Sequence, residues 1–291
     1  MKNSNNYSRL IAGAMTWGEW GKKMSTAEMA NFINHCKDHG LTSFDHADIY
    51  GGYGTEEEFG KALTDSGVNR ESIQLISKCG IQYICEARDN RVKHYNYSKD
   101  YILWSAEESL KKLQTDYLDL FLLHRPSPLM QPEEVAEAIA QLTQSGKIKE
   151  FGVSNFTPSQ IALIETAVPV SANQVEFSLT ADDVMFNGTL DDCIIHDRKA
   201  MAWSPLGGYF RGENEQNSRI GAIMKDLQPK YNANASQLLL AWILKHPARI
   251  HPVLGTTEPG RIIDSIQAAE IELELEDWFI LHTASMGKKV P

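Results

Sequence analysis

Short apolar runs alternate along the chain with longer stretches of helical period. The first run is Leu10–Met15. It precedes a predicted helix with Ser25 and Glu28 at capping-box spacing, with Met29, Phe32, Ile33 and Cys36 on one face, and with Gly40 as its stop. The second run, Thr42–Asp45, precedes a helix predicted from Thr55. Its first turn holds Glu56, Glu57 and Glu58, where the helix dipole favours negative charge. The third run, Ile73–Lys78, leads into Cys79–Tyr97, which has no period and reads as a loop. A helix from Ser98 then aligns Ile102, Ala106, Leu110 and Leu113.

The second half repeats the alternation. Tyr117–Leu123 is almost wholly apolar, as a strand covered on both faces requires. Pro132 opens a helix with Val135, Ala138, Ile139 and Leu142 on its stripe and Gly146 at its end. Runs at Ile148–Val153, Ser171–Val175, Ala200–Trp203 and Ile250–Leu254 are each followed by helical pattern, and Glu274–Met286 reads as a terminal helix. Eight such units without a Pro- or Ser-rich linker predict an α/β chain folded as one (β/α)8 TIM barrel over residues 1–291. A doubly wound open sheet is the alternative, but the GxGxxG that usually follows its first strand is absent.

Composition narrows the partners. The 291 residues carry 28 Lys and Arg against 38 Asp and Glu, a net charge of −10. That balance argues against nucleic acid or an anionic membrane as the main partner, while leaving room for a local cationic pocket. The longest plain apolar run, Leu238–Leu244, is far short of the roughly 20 residues of a membrane span. The polar start, Met1–Tyr7, lacks a signal-peptide core, so a reducing cytoplasm is expected. The four cysteines form no CxxC pair, and no metal site is expected.

In a barrel, the residues that close the strands build the site. Here they are Asp45, Lys78, His124, Ser154-Asn155, Gln174, Trp203-Ser204 and Thr256-Thr257. Taken singly, Asp45 reads equally as a cap, Tyr50 as a loop tyrosine and His124 as a core histidine. Lys78 is the odder residue, because an ammonium ending an apolar strand is costly without a carboxylate partner. Together Tyr50, Lys78, Asp45 and His124 make a proton donor aimed at an oxygen. The ammonium favours the phenolate, the carboxylate holds the ammonium, and the imidazole orients a carbonyl.

These segments resemble the aldo-keto reductase superfamily, most closely its bacterial oxidoreductases. The likeness runs through Gly13–Gly18, Phe44-Asp-His-Ala-Asp-Ile-Tyr-Gly51, Leu75-Ile-Ser-Lys-Cys79, Tyr117–Pro126, Gly146–Phe156, Asn173-Gln-Val175, Trp203-Ser-Pro-Leu-Gly207 and Gly255–Arg261. It implies NADPH-dependent reduction of a small carbonyl compound, an aldehyde or ketone. Tyr50 would be the proton donor, Lys78 and Asp45 would lower its pKa, and His124 would orient the carbonyl. Met15 and Thr16 would line the nicotinamide end, with Asp45 nearby. Ser154, Asn155 and Gln174 would bond the carboxamide, and Trp203 would stack on the ring. Ser204, Leu206 and Gly207 would approach the pyrophosphate. Thr256 and Arg261 would meet the 2′-phosphate, and Asp264 and Ser265 the adenine. Gly255 stands where many NADP-dependent members have lysine, so NADH is the alternative cofactor.

Trp17, Trp20, Tyr50 and His124 are expected to face substrate, with Tyr53 and Tyr95 or Tyr97 as further wall. Loop packing explains these aromatics equally well. Tyr209, Phe210 and Arg211 are placed to fold over the cofactor, whereas Trp104 and Trp242 sit at core spacing. Two other classes remain open: a cofactor-binding regulatory or sensor protein with little turnover, and a barrel hydrolase or lyase. The oligomeric state is not readable from the sequence.

Overall fold

The computed structural model describes residues 7–291, so the polar segment Met1–Asn6 lies outside the described residues. Among the described residues ten strands form: β1 Ile11–Gly13, β2 Ser43–Asp45, β3 Gln74–Cys79, β4 Ile81–Gln82, β5 His94–Tyr95, β6 Leu118–Leu123, β7 Ile148–Ser154, β8 Ala172–Glu176, β9 Lys199–Trp203 and β10 His251–Leu254. Eight of them close a parallel barrel in the order β1-β10-β9-β8-β7-β6-β3-β2. The remaining two, β4 and β5, pair antiparallel as a small separate hairpin. The stretch expected to be a plain loop therefore contains a two-residue ladder, too short for period-two alternation to register.

Helices wrap the barrel as the apolar periods require. The first, α1 (Thr26–Asp38), has its capping box formed and buries Met29, Phe32, Ile33 and Cys36. A short turn, α2 (Tyr50–Tyr53), precedes α3 (Thr55–Ser66). Of the three glutamates opening α3, Glu57 and Glu58 are exposed but Glu56 is buried, accepting from Ser77 Oγ at 2.6 Å and Ser109 Oγ at 3.1 Å. Its place is thus set by hydrogen bonding in the interior as well as by the dipole. The other main helices are α4 (Lys99–Leu113), α5 (Pro132–Gln144), α6 (Pro158–Ile164), α7 (Thr189–Ile195), α8 (Glu215–Tyr231), α9 (Ala235–Leu244), α10 (Pro259–Gln267) and α11 (Leu275–Met286). No described helix is long and apolar enough to cross a membrane.

The barrel interior holds a compact apolar group: Ile11, Ile76, Leu120, Leu122, Ala172, Met201 and Val253. Strand side chains alternate between faces, so the residue two positions on shares the interior face. Above Ile11, Ile76, Leu122, Ala172, Met201 and Val253 this gives Gly13, Lys78, His124, Gln174, Trp203 and Gly255. The hydrophobic plug thus forms the floor, and the next layer becomes the polar site. Gly152 permits the close fit on β7, since a Cβ there would come within 2.7 Å of the Ala172 carbonyl oxygen.

Candidate active site

At the C-terminal end of the strands lies a cavity of about 670 Å³. Beneath it, the Lys78 ammonium is fully buried and donates to Asp45 Oδ2 at 2.8 Å, to the His46 carbonyl at 2.7 Å and to the Tyr50 hydroxyl at 3.1 Å. Burial alone would depress the lysine, but Asp45 and Tyr50 outweigh it and hold Lys78 above its ordinary value. Tyr50 is pushed up by burial, while Lys78 and then Arg125 pull the other way. The tyrosine is therefore a protonated phenol at neutral pH in this state. The lowering expected from Lys78 is present but does not win.

His124 meets the Tyr50 ring edge-on, with centroids 6.1 Å apart. Burial first, then the charges of Lys78, Arg125 and Lys93, hold its pKa well below the usual histidine range. It is a neutral imidazole, and its backbone N–H is fixed by the Cys79 carbonyl at 2.9 Å. Tyr50, His124 and Asp45 all line the cavity, with Lys78 directly behind them.

The other wall is built from β7, β8 and β9. Ser154 Oγ donates to the Gln174 carbonyl at 2.8 Å, and Gln174 Nε2 donates to Asp45 Oδ1 at 2.8 Å. Trp203 Nε1 donates to Asn155 Oδ1 at 2.9 Å, which fixes the indole where it lines the cavity. Met15, Thr16, Trp20 and Ser204 also line the space, and Thr16 Oγ1 donates to the Gly255 carbonyl at 3.0 Å.

Several expected residues lie elsewhere. Trp17 is fully buried against Phe32, Phe44 and Phe59, with ring centroids 5.0 to 6.2 Å away. It belongs to the core and not to a substrate wall, because its loop turns it toward α1 and α3. Tyr53 and Tyr97 are buried too. Tyr95 is the tyrosine of this group that lines the cavity, beside Trp20. Leu206 and Gly207 do not line the cavity, and the Gly207 N–H is engaged by the Ser204 carbonyl at 2.8 Å. Thr256 Oγ1 accepts from the Glu258 N–H, Arg261 is exposed on α10, and Asp264 Oδ2 accepts from Asn234 Nδ2. Ser265 is buried, donating back to the Arg261 carbonyl at 2.7 Å. Trp104 is half-exposed under the Arg88 guanidinium, whereas Trp242 is buried and stacks on Trp278. Phe210 is exposed, and Arg211 lines the cavity.

Sequence reasoning missed Lys93 and Arg125, both cavity-lining. Arg125 carried a signal, a charge directly after the strand-ending His124; Lys93 carried none. It also missed Asp48. This buried carboxyl accepts from Tyr101 and Ser105, and its pKa is pushed up to about 7 by burial and by Glu56.

A sequence model of the Aldo/keto reductase family matches residues 9–285. An uncharacterized oxidoreductase, YcsN of Bacillus subtilis, is 42% identical, with 98% of this chain and 96% of that protein covered. A 6-dehydroglucose reductase of Agrobacterium fabrum is 36% identical over 97% of this chain and 96% of its own. The crystal structure of an aldo/keto reductase from Klebsiella pneumoniae, in complex with NADP and acetate, superposes with a TM-score of 0.76 at 26% identity over 93% of this chain and 89% of that one. With its barrel, its buried lysine–carboxylate pair and these relatives along nearly its full length, the chain belongs to the aldo/keto reductase family.

Proposed function

We propose that this protein is an NADP(H)-dependent carbonyl reductase that turns an aldehyde or ketone into an alcohol. The observation that carries the reading is the Lys78 ammonium 3.1 Å from the Tyr50 hydroxyl, at the floor of a cavity that His124 shares.

The walls fit a nicotinamide dinucleotide. Trp203 offers a flat ring, and Gln174, whose amide nitrogen is spent on Asp45, keeps Oε1 free to accept from a carboxamide. Gly255 leaves room above β10, where a Cβ would meet nothing within 4 Å. NADP is the ligand named for the Klebsiella relative. Ser154, Asn155 and Gln174 would hold the carboxamide end, with Met15 and Thr16 beside it. Ser204 and Arg211 would face the pyrophosphate over the turn shaped by Leu206 and Gly207. Thr256 and Arg261 would face a 2′-phosphate, and Asp264 and Ser265 would flank adenine. When bound, NADPH supplies a hydride to the carbonyl carbon.

The chain's own residues do the rest. Neutral His124 donates to the carbonyl oxygen and orients it. Tyr50 passes its hydroxyl proton to that oxygen as negative charge develops there, and Lys78 stabilises the phenolate left behind. Solvent then reprotonates Tyr50. The balance is carbonyl plus NADPH plus one proton to alcohol plus NADP⁺.

NADPH oxidation over a panel of aldehydes, with Tyr50→Phe as control, tests the reading. Tyr50-dependent turnover is expected. Tight NADPH binding with no Tyr50-dependent turnover on any member would sink it in favour of a cofactor sensor.

A further inference from the structure

We propose that the carbonyl substrate carries an anionic group, a carboxylate or a phosphate ester, held by Arg125 and Lys93. This inference rests on the reductase reading and names its substrate class.

Three cations line the cavity: Lys93, Arg125 and Arg211. The cavity-lining carboxylate is Asp45, and it is already committed to Lys78 and Gln174. Arg211 Nη2 donates to Ser204 Oγ at 3.0 Å, which ties it to the turn proposed to face the cofactor pyrophosphate. Arg125 and Lys93 have no such tie. Among the described residues neither side chain meets a carboxylate or a hydrogen-bond acceptor, and the Arg125 guanidinium is anchored only by its 5.4 Å approach to the Trp203 ring. In a chain of net charge −10, two uncommitted cations beside one concave site are an unusual concentration.

Arg125 is also held in place. The Tyr97 hydroxyl donates to the Arg125 carbonyl at 2.6 Å and accepts from its N–H at 3.0 Å. Tyr97 in turn packs closely against Gly80, where a Cβ would come within 2.0 Å of the ring. The backbone that presents the guanidinium is thus clamped from below, immediately after His124. Arg125 follows His124 directly in the chain, and Lys93 lines the same cavity, into which the carbonyl would enter. A planar guanidinium suits either carboxylate or phosphate, and the ammonium adds a second point charge. The reduction itself is unchanged: the anionic group takes no part in hydride or proton transfer.

The test pairs each anionic carbonyl with an uncharged counterpart, using NADPH and the intact protein. The carboxylate pair is 4-formylbenzoate against 4-formylbenzamide, and the phosphate pair is glyceraldehyde 3-phosphate against glyceraldehyde. In at least one pair the anion is expected to be favoured about tenfold or more in kcat/KM, mainly through KM. Whichever pair responds identifies the group. Arg125→Met and Lys93→Met should each carry that ratio toward one, and Arg125→Lys should retain part of it. A second measurement uses benzoate, which cannot be reduced, and follows quenching of tryptophan fluorescence in the NADP⁺-saturated protein. Its affinity should fall about tenfold in Arg125→Met. Turnover of neutral and anionic members at equal kcat/KM in both pairs would overturn the inference while leaving the reductase standing. Benzoate binding that depends on Arg125, without turnover of any carbonyl, would leave the anion site standing and remove the reductase reading.

Discussion

The Lys78 ammonium lies 2.8 Å from the Asp45 carboxylate, and neither side chain has meaningful access to solvent. Removing one member of such a pair leaves the other buried and unpaired. Asp45→Asn should therefore destabilise the fold by about 3–5 kcal/mol. The double change Asp45→Asn with Lys78→Met should cost clearly less than the sum of the singles, because no charge is then stranded. Denaturant unfolding of the four proteins measures this, and strict additivity would show that the pair is not coupled.

In the proposed mechanism, Tyr50 would set the alkaline limit of the reaction. Burial holds its phenol above the ordinary value of about 10, so the proton to be donated is present throughout the neutral range. The kcat for reduction should stay level to about pH 9 and decline only beyond it. A decline centred near pH 7 would assign the proton to another group. Tyr50→Phe should lower kcat by about 10² to 10⁴-fold while NADPH still binds.

Cofactor preference should run through Arg261. It is exposed on α10, free to turn toward a phosphate, and its charge reaches the neighbouring Glu258. Arg261→Ala should raise the KM for NADPH about tenfold or more, with a much smaller change for NADH. Equal changes for both cofactors would exclude a 2′-phosphate contact.

His46 is a stability liability at low pH. Both ring nitrogens are buried without partners, and burial followed by the Lys78 charge lowers its pKa to about 3. The unfolded chain takes up this proton near pH 6.5, whereas the native state resists until about 3. Native stability is therefore lost as pH falls through that window. His46→Leu should unfold at a higher temperature than the parent, with the gap widening from pH 7 to pH 5. A gap independent of pH would show that His46 does not titrate on unfolding.

Much of this was legible in the sequence because strand ends and helix faces are local properties. Asp45, Lys78 and His124 close apolar runs, and period two alone places Lys78 and His124 above Ile76 and Leu122. Trp17 and Trp104 were misjudged for a different reason. Whether an aromatic faces core, cavity or solvent depends on how a loop or helix packs, and Trp17 found Phe32 and Phe59 while Trp104 found Arg88. Lys93 was invisible because its position is set by a hairpin with two residues per strand. Nothing local marked Asp48 or Glu56 as buried acids, since their hydroxyl partners come from distant segments: Ser77, Tyr101, Ser105 and Ser109.

The β4–β5 hairpin gives Ile81, Lys93 and Tyr95 to the cavity, yet it joins none of the barrel ladders. Its removal would break no strand of the closed sheet that carries Asp45, Lys78 and His124. In the proposed enzyme, the share of the substrate pocket that the hairpin supplies would therefore be replaceable apart from the barrel strands beneath, while Arg125 stays with His124 at the end of β6. A transplanted hairpin from a relative would then change which molecules the cavity accepts while leaving Asp45, Tyr50, Lys78 and His124 where they are.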